Sequence, residues 1–279
     1  MPELPEVETM VRGIRPAMLG RSLRRIEVLD AHLIQGCDAE ELERRGRGPA
    51  VADVHRRGKW VVLSLSDTAG IIVIQPRMTG GFWLVPPERP DHIRLIFHVD
   101  GPQPYVWFCD TRRLGKISWY PDEEAAERAF SNSHGPDALT ITRQELAGRL
   151  SRTARGIKPT LMDQKVLAGI GNIYADEVLF RSRIHPERIA SRLKKVELDR
   201  LHAAIGEILN EAIAAEGSSF DAGYRTVLGL EGGFLARNSM YGRGGEPCPS
   251  CTKPILKTKI AGLIGRPTYY CPSCQTRRK

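Results

Sequence analysis

Apolar positions along the first part of the chain change rhythm early. Val7, Met10, Val11 and Ile14 follow the i, i+3, i+4, i+7 spacing of a helix with one buried face. Pro5 is placed to open that helix, and Glu6 and Glu8 suit the positive end of its dipole. Strand-like runs come next: Val61-Val62-Leu63-Ser64-Leu65, Gly70-Ile71-Ile72-Val73-Ile74, His92 to Val99, and Tyr105-Val106-Trp107-Phe108. In the third of these, Ile93, Leu95, Phe97 and Val99 share one face, as in a half-buried antiparallel strand. Turn clusters such as Val85-Pro86-Pro87 and Asp100-Gly101-Pro102 separate the runs, so a β-sandwich is the expected architecture. From Gly135 the period becomes helical, most clearly through Leu198, Leu201, Ile205, Ile208, Leu209, Ala212 and Ile213. Two further apolar helical patterns, Leu161 to Leu167 and Ile173 to Phe180, flank Gly169-Ile170-Gly171-Asn172. The fold class is therefore α+β: an N-terminal helix with a β-sandwich, followed by a helical domain.

The remaining stretch follows neither period. Cys248-Pro249-Ser250-Cys251 and Cys271-Pro272-Ser273-Cys274 are separated by 19 residues, the spacing of a four-thiolate zinc site. Four protein ligands leave no open position on the ion, so the zinc would be structural, with no catalytic metal or organic cofactor expected. The competing reading, two disulfides, needs an oxidising compartment, and the acidic N-terminus lacks the apolar stretch of a secretory signal. Cys37 and Cys109 then read as reduced thiols. No apolar run approaches the length of a membrane span, so a cytoplasmic protein is expected. The formal net charge of +8 lies wholly at the C-terminal end: residues 237–279 hold nine Lys or Arg against the single acid Glu246, and the rest balances. A compact cationic zinc module points to a phosphate backbone as partner, against the plainer reading of a soluble basic surface. At 279 residues the chain can hold more than one core, and no internal repeat is seen. The expected domains are 1–133, a β-sandwich; 134–236, helical; and 237–279, the four-cysteine finger.

Two segments carry candidate chemistry. In Met1-Pro2-Glu3-Leu4-Pro5-Glu6, removal of the initiator Met makes Pro2 a free secondary amine with an acid beside it. An α-amino group is partly unprotonated near neutrality, and such amines serve as covalent nucleophiles; the plainer reading is a helix start. Gly169-Ile170-Gly171-Asn172 lets backbone approach a ligand closely and offers the amides of a helix start to an anion, with Asn172 adding a donor. The alternative there is a plain helix connection.

The segments Pro2 to Glu8, Gly169-Ile170-Gly171-Asn172-Ile173-Tyr174-Ala175, and Tyr241-Gly242-Arg243 before the cysteines together resemble the bacterial formamidopyrimidine-DNA glycosylases, in order and from end to end. The resemblance implies a base-excision repair enzyme that removes oxidised purines such as 8-oxoguanine and formamidopyrimidines, then cuts the abasic strand as a lyase. It also implies a helix-two-turns-helix module, a zinc finger, double-stranded damaged DNA between the lobes, and a monomer associated with the bacterial nucleoid. Residue by residue, it makes Pro2 the nucleophile at C1′, Glu3 the essential acid with Glu6 as its neighbouring carboxylate, and Lys59 a phosphate-contacting lysine that assists the chemistry. Asn172 and Arg266, the latter five residues before Cys271, match phosphate-binding positions, and Lys158 a lysine near the lesion pocket. Met78, Arg112 and Leu114 match the side chains that fill the gap left by an extruded base; on its own, Met78 would read as strand-end packing.

The chain departs from the family pattern around base recognition. Leu114 stands where Phe is usual, Thr111 replaces a proline, and Gln75-Pro76-Arg77 replaces a His-Leu-Gly, so the phosphate contact of that histidine falls to Gln75 or Arg77 or is absent. The spacer between cysteine pairs is about three residues longer than usual, and the lesion-covering loop, about 218–234, is divergent and Gly-rich. Two other readings stay open: an endonuclease VIII-like glycosylase for oxidised pyrimidines, and a lesion-binding zinc-finger protein without catalysis.

Overall fold

A computed structural model describes residues 2–66, 69–219 and 223–277. The chain forms two compact units, one of residues 1–132 and 212–235, the other of 133–211 and 236–279.

The first unit begins with α1 (Leu4–Met18), which buries Val7, Met10, Val11 and Ile14, the face that the sequence marks. Then come β1 (Leu23–Val28), β2 (Ile34–Gln35), α2 (Ala39–Arg45), β3 (Val51–Arg57), β4 (Trp60–Leu65), β5 (Ile71–Gln75), β6 (Gly80–Trp83), β7 (Ile93–Val99), β8 (Tyr105–Asp110), β9 (Lys116–Tyr120) and α3 (Glu123–Ser133). They form a four-stranded sheet, β1-β7-β8-β6, and a five-stranded sheet, β2-β9-β5-β4-β3. Leu95, Phe97, Val106 and Phe108 of the first and Val61, Leu63, Ile72 and Ile74 of the second share one core with α1, which makes the pair a sandwich. All four strands marked by sequence are present. β1, β2, β3, β6 and β9 are additional, because β2 is only two residues long and charged or glycine positions break the apolar run in the others: β3 reads Val-Ala-Asp-Val-His-Arg-Arg and β6 Gly-Gly-Phe-Trp.

The second unit holds α4 (Arg143–Leu150), α5 (Ile157–Leu161), α6 (Asn172–Arg181) and α7 (Lys195–Ala214, to Glu211 in this unit), then the hairpin of β10 (Leu256–Thr258) and β11 (Thr268–Tyr270). Leu201, Ile205 and Ile208 of α7 are buried, as their spacing predicts. The expected helix over Leu161 to Leu167 is not formed: α5 stops at Leu161, and residues 164–166 run as a turn. Gln164 explains the difference, because its side-chain amide donates to the carbonyls of Met162 (2.9 Å) and Ile170 (2.8 Å) and accepts from Gly169 N (3.0 Å). Those groups are thereby satisfied outside a helix. Gly169 sits at φ +114°, a conformation that glycine adopts without strain, and it turns the chain into α6.

Candidate active site and nucleic-acid interface

The amino end of the first unit is held from several sides. Pro2 is buried, and Glu3 and Glu6 are each 1% exposed. Glu6 sits three residues after the N-cap Glu3, and its Oε2 accepts from Glu3 N at 2.8 Å, as in a capping box. Its other oxygen accepts from Ser218 N at 2.8 Å, so one carboxylate fixes both the Pro2–Glu3 end and the entry of the 218–234 loop. Glu8 on α1 pairs with Arg56 of β3 at 2.9 Å, and Arg56 also donates to Gly58 O at 2.9 Å. These bonds fix the β3–β4 turn, where Gly58 is at φ +57° and Lys59 is half-buried, against the helix that carries Glu3.

A second cluster in the same unit forms around Asp110, a residue that sequence did not single out. Its carboxylate is fully buried and accepts from Leu114 N (2.8 Å), Gly115 N (2.6 Å), Arg112 N (3.2 Å) and Thr79 Oγ1. It therefore shapes two turns at once, 77–79 carrying half-buried Met78 and 111–114 carrying exposed Arg112 and Leu114. Met78 and Arg112 line a cavity of about 610 Å³ together with Gly81, Trp83, His92 and Tyr224. His92 also escaped sequence reasoning; its Nδ1 lies 3.3 Å from Thr111 Oγ1. Tyr224 is buried and donates to Glu216 O at 3.0 Å, and burial pushes its phenol well above the ordinary range, so it stays neutral. Beyond it, the loop is pinned to β6 by Leu84 N donating to Val227 O at 2.8 Å. Phe220, Asp221 and Ala222 of that loop lie outside the described residues. Of the residues that replace the family's His-Leu-Gly, Gln75 ends β5 half-buried and Arg77 is exposed at φ +59°. Burial raises the Cys109 thiol to about 12, so it is an inert core group on β8.

In the second unit, α6 is the organising element. Its first residue, Asn172, is half-buried and donates through Nδ2 to Pro267 O at 3.1 Å. Consecutive buried acids of α6 each hold a finger segment: Asp176 accepts from Tyr269 N at 3.0 Å, and Glu177 from the amides of Ser239, Met240 and Tyr241 at 2.8, 2.9 and 2.8 Å. Burial raises both carboxyls, Asp176 to about 7, while the hydrogen bonds and the Lys158 charge oppose the rise. Lys158, which the resemblance matches to a lysine near the lesion pocket, is fully buried, 2.7 Å from Asp176. Arg266 is exposed in the loop between β10 and β11. The sulfurs of Cys248, Cys251, Cys271 and Cys274 lie within 4.8 Å of one another, 3.4 Å for Cys251–Cys271 and 3.9 Å for Cys248–Cys274. Sulfurs bound tetrahedrally at about 2.3 Å would be separated by about 3.8 Å, so the cluster fits one metal ion.

A β-sandwich joined in one polypeptide to a glycine-turned helical module and a four-sulfur finger is the architecture of a class of helix-two-turns-helix proteins. Residues 1–117 match the family model of the formamidopyrimidine-DNA glycosylase N-terminal domain, and 134–222 that of the formamidopyrimidine-DNA glycosylase H2TH domain. A formamidopyrimidine-DNA glycosylase of Symbiobacterium thermophilum is 38% identical over 280 residues, covering 99% of this chain and 89% of that protein. The crystal structure of the MutM (Fpg) protein from Thermus thermophilus superposes with a TM-score of 0.86 at 36% identity, covering all of both chains. The Lactococcus lactis Fpg, solved in complex with an abasic site containing DNA, superposes at 0.87 with 29% identity, covering 99% of this chain and 100% of that one. The chain belongs to the formamidopyrimidine-DNA glycosylase family.

Proposed function

We propose that the protein is a base-excision repair DNA glycosylase that removes oxidised purines from double-stranded DNA and then cuts the strand as an abasic-site lyase. The observation that carries this reading is the buried Pro2–Glu3 end, held through Glu6 to the entry of the 218–234 loop. After Met1 is removed, the Pro2 nitrogen bonds to C1′ of the damaged nucleotide, and the electrons of the glycosidic bond leave with the base. Glu3 gives a proton to the sugar ring oxygen as the C1′–O4′ bond opens. The secondary amine yields a permanently cationic iminium, an electron sink that lets the C2′ proton leave and the C3′–O and C5′–O bonds break in β and δ eliminations. Water then releases Pro2. Lys59, on its fixed turn, contacts phosphate at the lesion. Met78, Arg112 and Leu114 fill the gap in the duplex, at a cost of a few kcal/mol for extrusion, and the 610 Å³ cavity beside Met78 and Arg112 receives the base. Asn172 and Arg266 bind backbone phosphates.

The four cysteines hold one structural Zn²⁺, which supplies no chemistry to the reaction and orders the cationic finger. Along the chain, the catalytic domain 1–133 and the helical domain 134–236, whose stretch 212–235 belongs to the first compact unit, precede the zinc domain 237–279. One site per chain and one lesion per event make a monomer sufficient, acting in the bacterial cytoplasm on the nucleoid.

Borohydride trapping tests the reading. Met-free protein on a duplex with 8-oxoguanine opposite cytosine should give a covalent adduct, lost in Pro2→Gly and strongly reduced in Glu3→Gln on the intact lesion. No adduct there or on an abasic duplex, with Met1 removal verified and DNA bound, would leave a binding protein only. An adduct on oxidised pyrimidines in place of 8-oxoguanine would move the substrate to the endonuclease VIII-like class; Leu114 and the divergent 218–234 loop favour it, and the Pro2 to Glu6 opening opposes it.

A further inference from the structure

Lys158 has no exposed surface, and three oxygens surround its ammonium: Asp176 Oδ1 at 2.7 Å, Thr268 Oγ1 at 3.0 Å and Pro267 O at 3.1 Å. The ammonium donates to Thr268 and Pro267, and Asp176 Oδ1 faces it as the counter-charge, an ion pair outside hydrogen-bond geometry. The same Pro267 carbonyl accepts from Asn172 Nδ2 at 3.1 Å, and Asp176 Oδ2 accepts from Tyr269 N at 3.0 Å. Asn172 Oδ1 is buried without a hydrogen-bond partner among the described residues, so the bond to Pro267 sets the orientation of this amide. Pro267 directly follows Arg266.

We propose that Lys158 and Asp176 are a positioning pair for phosphate binding: they fix the finger strand after Arg266 on the helix start that carries Asn172, making one preformed clamp. The inference rests on the reading of the protein as a DNA glycosylase. It gives Lys158 an internal role in place of a lesion contact. A buried ion pair adds little net stability, since apolar residues of like volume often serve as well or better. Position is what the pair supplies. Without it, Asn172 and Arg266 would sit on segments free to shift, and ordering them would weaken binding.

The test uses the full zinc-loaded chain and a duplex bearing a tetrahydrofuran abasic analogue, with binding followed by anisotropy between about 50 and 200 mM salt. Asp176→Asn and Lys158→Met should each weaken binding about tenfold and lower the salt slope by about one. Cleavage of an abasic duplex at saturating protein should stay within about threefold of wild type. Should either single variant fail to fold, the apolar pair Lys158→Met/Asp176→Leu replaces it: it removes both charges together, yet it cannot hold the Pro267 carbonyl, so it should fold and still bind weakly. Wild-type affinity in that folded double variant overturns the inference. So does a loss of saturated cleavage in Lys158→Met, which would return the lysine to the lesion. Wild-type protein that neither binds nor cuts damaged DNA would instead remove the glycosylase reading itself, and this inference with it.

Discussion

Asp110 shows how much one buried side chain decides. Its carboxylate takes donors from both turns that carry the proposed gap-filling side chains, so Asp110→Ala leaves several donors unpaired at about 1 to 3 kcal/mol each. The expected outcome is a lower melting temperature, with excision of an intact lesion falling further than cleavage at an abasic site, where no base need be held. Comparing the two substrates by gel checks it. Arg113, in the same turn, makes a two-pronged bond to buried Asp30 at 2.6 and 2.8 Å, which holds the Asp30 carboxyl below its ordinary value of 3.8. A carboxyl depressed on folding stabilises above its unfolded pKa, and the contribution fades as pH falls through the folded value. Wild type should therefore lose more stability below pH of about 4 than Asp30→Asn does, read from urea midpoints across the acid range. Pro2, Glu3 and the cysteines are legible in sequence because their neighbours are close along the chain. Asp110, Asp176 and Glu177 are not. Asp176 and Glu177 bond to amides far along the chain, at 93 and 62 to 64 positions away, and nothing local signals it.

Among the elements, α1 and the strands β4, β5, β7 and β8 can be read directly, since their apolar periods are unbroken. β6 and β9 exist because partners supply what their own sequences lack: β6 pairs with β8 from Gly80↔Asp110 to Trp83↔Trp107, and β9 pairs with β5 along five positions. The region 161–167 misled in the opposite direction, a helical pattern unwound by the Gln164 amide. α6 is the element whose loss would spread furthest, because Glu177 anchors the first segment of the finger. Glu177→Gln keeps one acceptor and loses the charge shared by three amides, a loss of about 2 kcal/mol. A chelator should then strip zinc from that variant faster than from wild type, as followed with a colorimetric zinc indicator. Unchanged release would mean that the finger is held elsewhere.

For the molecule as a whole, charge and cores are partitioned. The first unit has its own core, which among the described residues includes none of the finger, and the finger packs Met240, Cys248, Ile255, Tyr269 and Cys271 in a separate cluster. Zinc removal should abolish tight DNA binding while the amides of β4, β5, β7 and β8 keep their protection in hydrogen exchange; loss of that protection would show the cores to be interdependent. Sequence anticipates this partition through its uneven charge, with the formal +8 confined to the last 43 residues, 237–279. What it could not show is that residues 212–235 return to the first unit. That return has a consequence in time. Glu6 is made among the first residues of the chain, but its partner Ser218 follows 212 residues later. At about 5 to 20 residues per second, synthesis leaves the carboxylate waiting roughly 10 to 40 seconds. A nascent chain therefore carries the Pro2–Glu3 end through most of translation before the contact that completes its setting exists, and a ribosome halted in the helical domain would display that end without its Ser218 partner.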